Sequence, residues 1–380
     1  MGRTIRSLCL VLTLAFVAIP VSAREPVENI GSFAVGAKGA VVMEAMTGRV
    51  LFSQDAERQL PIASTTKIMT ALLTLEQPDI YATFEVDGEA IRVEGSSMGL
   101  QDGDKLSLYA LAQGMLLASG NDGANAAAVR IAGSLPAFAE IMNARARQIG
   151  MENTCFITPS GLDDEAHYST AFDMALLARE ALRNSVFAGI CSQYRMRASY
   201  GNPPHDRWLT NHNKLLNYYD GAVGVKTGFT KKSGRCLVSA ATRDGVTLIC
   251  VTLSCSDDWN VHKSLLDSCF EQIEIKDLSK GISFLAIPVT GGVFPEIRVA
   301  HCETAQLPVP IGSEIDYRIT APPFLYAPVQ AGQYVGEAVV LVDGREAYWI
   351  TLVSAQEIPL KYDYDENKSI LSMIMDFFLN

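Results

Sequence analysis

Metal-ligand spacing is missing from this chain. Its five histidines, His167, His205, His212, His262 and His301, are scattered through 380 residues, and no pattern among them would hold a metal ion. None of the eight cysteines forms a Cys-x-x-Cys pair. Cys9 lies in the leader, and the other seven, Cys155, Cys191, Cys236, Cys250, Cys255, Cys269 and Cys302, are odd in number, several of them inside apolar strand-like runs. In a chain this large they read as buried free thiols and not as a disulfide scaffold. A basic stripe is also absent, and the formal charge is −11, which argues against a nucleic-acid partner. The apolar run from Leu8 to Ile19 is too short to span a bilayer comfortably.

What is present begins with that run. Arg3 and Arg6 precede it and Val21-Ser22-Ala23 follows, the pattern of a secretory signal peptide over residues 1–23. Removing it takes the formal charge to −13. The hydrophobic fraction of 48% and charged fraction of 19% are those of a globular protein with a sizeable core. Residues 24–275 alternate strand-like and helical patterns: a hairpin at 39–52, helices from Leu106, Asn125, Pro136 and Thr170, strands at 222–226, 236–242 and 246–253, and a helix from His262 to Ile275. That order predicts an α/β (α+β) domain, an antiparallel sheet flanked by helices with a helical lobe. Residues 276–362 carry short strands punctuated by proline and glycine, so a second, small all-β domain is expected. Residues 363–380 are expected to form an amphipathic C-terminal helix, on which Asp365, Ser369, Ser372, Asp376 and Asn380 would fall on one stripe. It suits the membrane interface or a protein surface.

The chemistry gathers around Ser64-Thr65-Thr66-Lys67. Positions three apart share a helix face, so the Ser64 hydroxyl and Lys67 amine can touch. A serine is a weak nucleophile until a base takes its proton, and a desolvated lysine can be that base. Ser119-Gly120-Asn121 sits between two helical segments. Ser119 can relay a proton, and the Asn121 amide can hold a substrate carbonyl or the lysine. In the strand-like Lys226-Thr227-Gly228-Phe229, Lys226 supplies positive charge and Thr227 a hydroxyl for a carboxylate. Gly228 lets substrate lie along the strand, and the N–H groups of Phe229 and Ser64 can form an oxyanion hole. Gly95-x-Ser97-x-Gly99 matches the nucleophile elbow in form, but the turn at Gln101–Asp104 stands where a helix is required.

Taken together, in this order, the three motifs are those shared by class A β-lactamases and penicillin-binding proteins. The chain resembles the low-molecular-mass serine D-alanyl-D-alanine carboxypeptidases of the penicillin-binding-protein type, peptidase family S11. Val93–Gly99, Thr158–Asp164 with His167–Ala171, and Asn211-His212-Asn213-Lys214-Leu215-Leu216 resemble further segments of that family. The resemblance implies an exported enzyme working outside the bacterial cell membrane on the peptidoglycan stem peptide. Ser64 would be acylated with release of the terminal D-Ala, β-lactam antibiotics would label Ser64, and no cofactor would be needed. Some members carry a basic residue just past the strand ending near Leu253. Here Ser254–Trp259 lacks one, which leaves the substrate carboxylate to Lys226, Thr227, His212 or Arg235. Two rivals remain at this point: a class A β-lactamase, which would need a loop glutamate to activate water where Asp163, Asp164 and Glu165 lie in a comparable stretch, and a non-catalytic peptidoglycan-binding scaffold.

Overall fold

The computed structural model describes residues 34–282, 285–301 and 306–361. The signal peptide and the C-terminal helix expected from the sequence lie outside them. In chain order the first part holds β1 (Gly39–Glu44), β2 (Val50–Gln54), a 3-10 turn (Ala63–Thr66), α1 (Lys67–Leu75), β3 (Thr83–Glu85), β4 (Lys105–Ser107), α2 (Leu108–Leu117), α3 (Asn121–Ala132), α4 (Leu135–Ile149), α5 (Ala171–Arg183) and α6 (Ser185–Cys191). It continues with β5 (Arg195–Gly201), β6 (Pro204–Thr210), α7 (Leu215–Tyr218), β7 (Ala222–Thr230), β8 (Gly234–Arg243), β9 (Val246–Leu253) and α8 (Asp258–Phe270).

Five strands form one antiparallel sheet in the order β2-β1-β9-β8-β7. All six residues of β1 are buried, because the sheet is covered on both faces. Side chains alternate across a strand. Val41 and Met43 therefore join the large core of the helical lobe, and Ala40 and Val42 join a second core with Leu265, Leu266 and Cys269 of α8. Helix α1 is buried along its whole length, as its apolar run requires. Local signals set the helix ends: Ser107, Ser134 and Thr170 accept N-cap hydrogen bonds, and Gly133 and Gly150 close α3 and α4 in the left-handed conformation.

One expectation needs correcting, and one element was not anticipated. The helix drawn from His262 to Ile275 begins at Asp258 and stops at Phe270, and Ile273 and Ile275 instead alternate along β10 (Ile273–Asp277). The β5–β6 hairpin went unrecognised because one of its faces is almost wholly polar: Arg195, Arg197 and Ser199 lie opposite Thr210, Trp208 and Asp206.

The remaining elements are α9 (Ser279–Ile282), β11 (Ala286–Thr290), β12 (Glu296–His301), β13 (Gln306–Pro310), β14 (Ile315–Thr320), β15 (Leu325–Tyr326), β16 (Tyr334–Val342) and β17 (Arg345–Ser354). Six of these strands form a sheet in the order β14-β16-β17-β12-β11-β15, with its own apolar core around Ile297, Val340 and Leu352. Strand β10 pairs with β13, so it runs across the 275/276 boundary. The β16–β17 turn is Asp343-Gly344, both residues at positive φ, as a tight primed hairpin needs. Asp343 also receives Arg49 of the β1–β2 hairpin at 3.0 Å, which ties the two regions together. No helix among the described residues is long and apolar enough to cross a membrane.

Candidate active site

Ser64 stands in the 3-10 turn that leads into α1, one residue after Ala63, whose φ is +47°. A non-glycine residue in that region costs energy, and such strain collects where a side chain must be aimed. The tight turn brings Ser64 over Lys67. Lys67 Nζ stands 2.8 Å from Ser64 Oγ and donates to the Ser160 carbonyl at 2.6 Å. Lys67 is fully buried, and its amine is pushed well below the ordinary lysine value. Burial is the main cause, followed by the like charge of Lys226, against an opposing pull from Asp122. A neutral amine held against a serine hydroxyl is a base in position.

The segment supplying the Ser160 carbonyl is clamped to the same turn. A Cβ on Gly161, at φ +79°, would lie 2.0 Å from the Ala63 carbonyl oxygen, so only glycine allows this approach. His167 completes the clamp. Its Nδ1 accepts from the N–H groups of Ile157 and Thr158 at 3.0 and 3.2 Å, which leaves the proton on Nε2, 2.8 Å from Thr66 Oγ1. Thr66 in turn donates to the Ala63 carbonyl at 2.8 Å. Burial lowers His167 to about 4, so the neutral ring persists.

Ser119 and Lys226 meet from opposite walls. Lys226 Nζ donates to Ser119 Oγ at 3.0 Å and to the Thr227 carbonyl at 2.8 Å. Ser119 follows the C-cap residue of α2 in a left-handed kink, at φ +58°, and is buried with its hydroxyl on Lys226. Burial lowers Lys226 to about 7, so its charge is conditional near neutrality and not fixed.

Asn121 is buried two residues after Ser119. It opens α3, and its Nδ2 is committed to the Glu94 carbonyl at 2.6 Å. Its Oδ1 is buried with no hydrogen-bond partner among the described residues. The neighbouring Asp122 was not singled out in the sequence, although an acid in a first helical turn is a recognisable signal. Its carboxylate accepts from Ser97 Oγ at 2.5 Å and from the N–H groups of Met98, Gly99 and Leu100 at 2.9 to 3.0 Å. The Val93–Gly99 stretch is thus a wall fastened to α3. Ser97 is exposed and no helix follows it, so the elbow match has no elbow geometry.

Ser64, Ser119, Thr227, Gly228 and Phe229 line one cavity of about 300 Å³, together with Ser96, His212 and Arg235. Gly228 has a further reason to be glycine. A Cβ there would stand 3.0 to 3.1 Å from the backbone of Ile62, Ser64 and Thr65, so its bareness lets β7 reach the nucleophile turn. Arg235 lies opposite Phe229 in the β7–β8 register. It is paired with the buried Asp258 at 2.8 Å and lies over the Trp259 ring. His212 is held below its usual value by burial and by Lys226 and Lys67. Asp163, Asp164 and Glu165 are all exposed, and Asp163 accepts from Thr230 Oγ1 at 2.9 Å. The group that faces Lys67 is a carbonyl, which cannot activate a water as a glutamate does.

A family model described as D-alanyl-D-alanine carboxypeptidase, peptidase S11, matches residues 23–257, more than half of the chain. The chain belongs to peptidase family S11. It is 32% identical to the D-alanyl-D-alanine carboxypeptidase DacF of Bacillus subtilis over 360 residues, covering 91% of this chain and 92% of that one. It is 30% identical to DacC of Escherichia coli, covering 84% and 83%. Penicillin-binding protein 5 of Haemophilus influenzae superposes on 87% of this chain and 99% of its own, with a TM-score of 0.67 and 27% identity. This S11 member is accordingly a serine-type D-alanyl-D-alanine carboxypeptidase of the penicillin-binding type, and the scaffold and β-lactamase readings fall away.

Proposed function

We propose that Ser64 is the nucleophile and Lys67 its general base. The observation that carries this is the 2.8 Å approach of a buried lysine amine to the Ser64 hydroxyl. Neutral Lys67 takes the Ser64 proton as Oγ attacks the carbonyl of the penultimate D-Ala of a peptidoglycan stem peptide. The oxyanion settles between the N–H groups of Ser64 and Phe229. The scissile C–N bond breaks, and the departing D-Ala amine receives a proton through Ser119, whose oxygen accepts from Lys226. Water then hydrolyses the ester and restores Ser64. The terminal carboxylate rests on Thr227 and on Arg235, both of which line the cavity, the guanidinium keeping its charge at working pH. Asn121, held by its Nδ2, positions the Val93–Gly99 wall and offers Oδ1 to the reacting groups.

β-Lactam antibiotics, which imitate the acyl-D-Ala-D-Ala end, acylate the same oxygen and leave slowly. We further propose export by the signal peptide at 1–23, catalysis by residues 24–275, a spacer or docking role for 276–362, and attachment to the outer face of the cell membrane through 363–380. The apolar run from Leu8 to Ile19 behind Arg3 and Arg6, the short strands of the β-rich region and the apolar pattern of the tail support these assignments.

The test is a stem pentapeptide incubated with the mature protein, with products followed by mass, beside labelling by a fluorescent penicillin. D-Ala release and a label on Ser64 are expected, and Ser64→Ala should lose both. Labelling that survives in that variant, at Ser97 in particular, would overturn the assignment.

A further inference from the structure

The end of the β-rich region from which residues 362–380 depart carries five exposed apolar side chains. Val293, Phe294, Phe324, Tyr326 and Leu360 are between 43 and 71% exposed. Backbone bonds join the three segments that bear them. Val293 N–H donates to the Pro359 carbonyl at 3.1 Å, Lys361 N–H to Gly291 at 2.8 Å, and Ala327 N–H to Thr290 at 3.0 Å. Phe324 and Tyr326 lie ring to ring at 5.2 Å. Their in-between neighbours point the other way: Val289, Val329 and Ile358 fill the core and Leu325 packs on it. A sheet with one wet face should be polar on its outward positions. On much of the rest of this sheet that holds, with Glu296 and Arg298 on β12 and Asp316, Arg318 and Thr320 on β14, and with Ile319 and Tyr334 as exceptions. The rule is broken at this rim, and a contiguous exposed apolar patch marks a contact surface.

We propose that this rim is a second lipid-contacting surface, which enters the headgroup–acyl boundary beside the C-terminal segment. This rests on the reading of 363–380 as a membrane anchor. Four residues lie between Leu360 and Asp365, where the apolar pattern of the tail begins, and those five steps of chain span at most roughly 17 Å. A tail lying at the bilayer surface therefore brings the rim to it. Tyr326 suits that layer with its hydroxyl toward water, and Phe294 and Phe324 supply the apolar face that such surface-lying elements bury. With −13 on the chain after removal of residues 1–23 and Lys368 as the sole cation of 365–380, attraction to anionic lipid is weak, and apolar contact has to supply the affinity. A rim acting with the tail gives two contacts where one short helix would hold poorly.

The experiment uses full-length protein and vesicles of phosphatidylethanolamine and phosphatidylglycerol with brominated acyl chains. A tryptophan replaces Phe294 in one variant and Asp316, on β14 at the opposite edge of the sheet, in another. Bromolipid should quench the Phe294→Trp signal and leave the Asp316→Trp signal at the level of the three native tryptophans. The double variant Phe294→Ser/Tyr326→Ser should bind the vesicles about tenfold more weakly, with hydrolysis of a soluble peptide unchanged. If the protein binds vesicles and Phe294→Trp is not quenched, the rim proposal fails while the anchor stands. If full-length protein does not bind, both fail. The rim proposal is also overturned if the Phe294→Trp emission is already buried without lipid and becomes exposed when 362–380 are removed, since the tail itself then covers the rim. A self-association lost in the double variant would give the rim to a second copy and overturn it likewise.

Discussion

Lys226 Nζ donates a hydrogen bond to Ser119 Oγ at 3.0 Å, across 107 residues of chain. The contact joins the strand motif to the α2–α3 turn and places a second amine near Lys67, whose own value it lowers. Lys226→Gln keeps a donor toward Ser119 but removes the charge. Without that like charge Lys67 holds its proton more tightly, so less of the free base exists at neutral pH. The acid limb of the pH profile for penicillin acylation should move to higher pH. An acid limb that stays in place would show that Lys226 does not tune Lys67.

Lys67→Arg should be nearly as damaging as Lys67→Ala. Arginine preserves charge and reach, yet it does not give up its proton under these conditions. Acylation by the arginine variant above about a tenth of wild type, a cost under ~1.4 kcal/mol, would reduce Lys67 to an electrostatic group.

Much of this site could be read from the residues because its chemistry depends on short spacings. Ser64 and Lys67 are three apart, and Lys226–Phe229 lie on one strand. The strands 222–226, 236–242 and 246–253 were legible because buried alternation is strong there, although β7 and β8 run further than the pattern showed. What stayed hidden acts through the backbone or across long separations. The Ser160 carbonyl that holds Lys67 leaves no side-chain signature. Asp122 organises a wall of the cavity 22 to 25 residues away in sequence. The role expected of Gly228 was only half the reason for it, since the close approach of β7 to Ser64 exists only in three dimensions. The Asn121 amide was expected to hold a substrate carbonyl or the lysine, and the Glu94 carbonyl that accepts from its Nδ2 carries no sequence pattern.

Gly161→Ala should separate catalysis from folding. The new Cβ would meet the Ala63 carbonyl at 2.0 Å while forcing alanine to φ +79°. The left-handed conformation alone costs about 1–2 kcal/mol. The clash pushes on Ala63, the residue that aims Ser64, so acylation per folded molecule should fall by well over tenfold. Thermal melting and single-turnover acylation are measured together. A lowered melting point with unchanged acylation by the folded fraction would mean that this contact serves stability alone.

The last prediction concerns acid. His167 is lowered from 6.5 to about 4 by burial, so the unfolded chain binds a proton more readily than the native one between those values. The native ring cannot accept that proton without penalty, because its Nδ1 already faces the N–H groups of Ile157 and Thr158. The sign is therefore fixed: the contribution is fully present above pH 6.5 and is lost as pH falls through about 4. Its full size is about 3 kcal/mol. His262 adds a loss of the same sign that reaches lower, to about pH 3, from its buried place between Ser239 and Thr252. Denaturant midpoints between pH 7 and pH 4 should fall for the wild type. They should fall less steeply for His167→Gln, whose amide cannot titrate. Because His167 clamps the turn that bears Ser64, penicillin acylation by the still-folded wild type should decline over the same range. If the midpoint is flat down to pH 4, or if the glutamine variant follows the wild-type slope, the neutral His167 clamp is not what acid breaks.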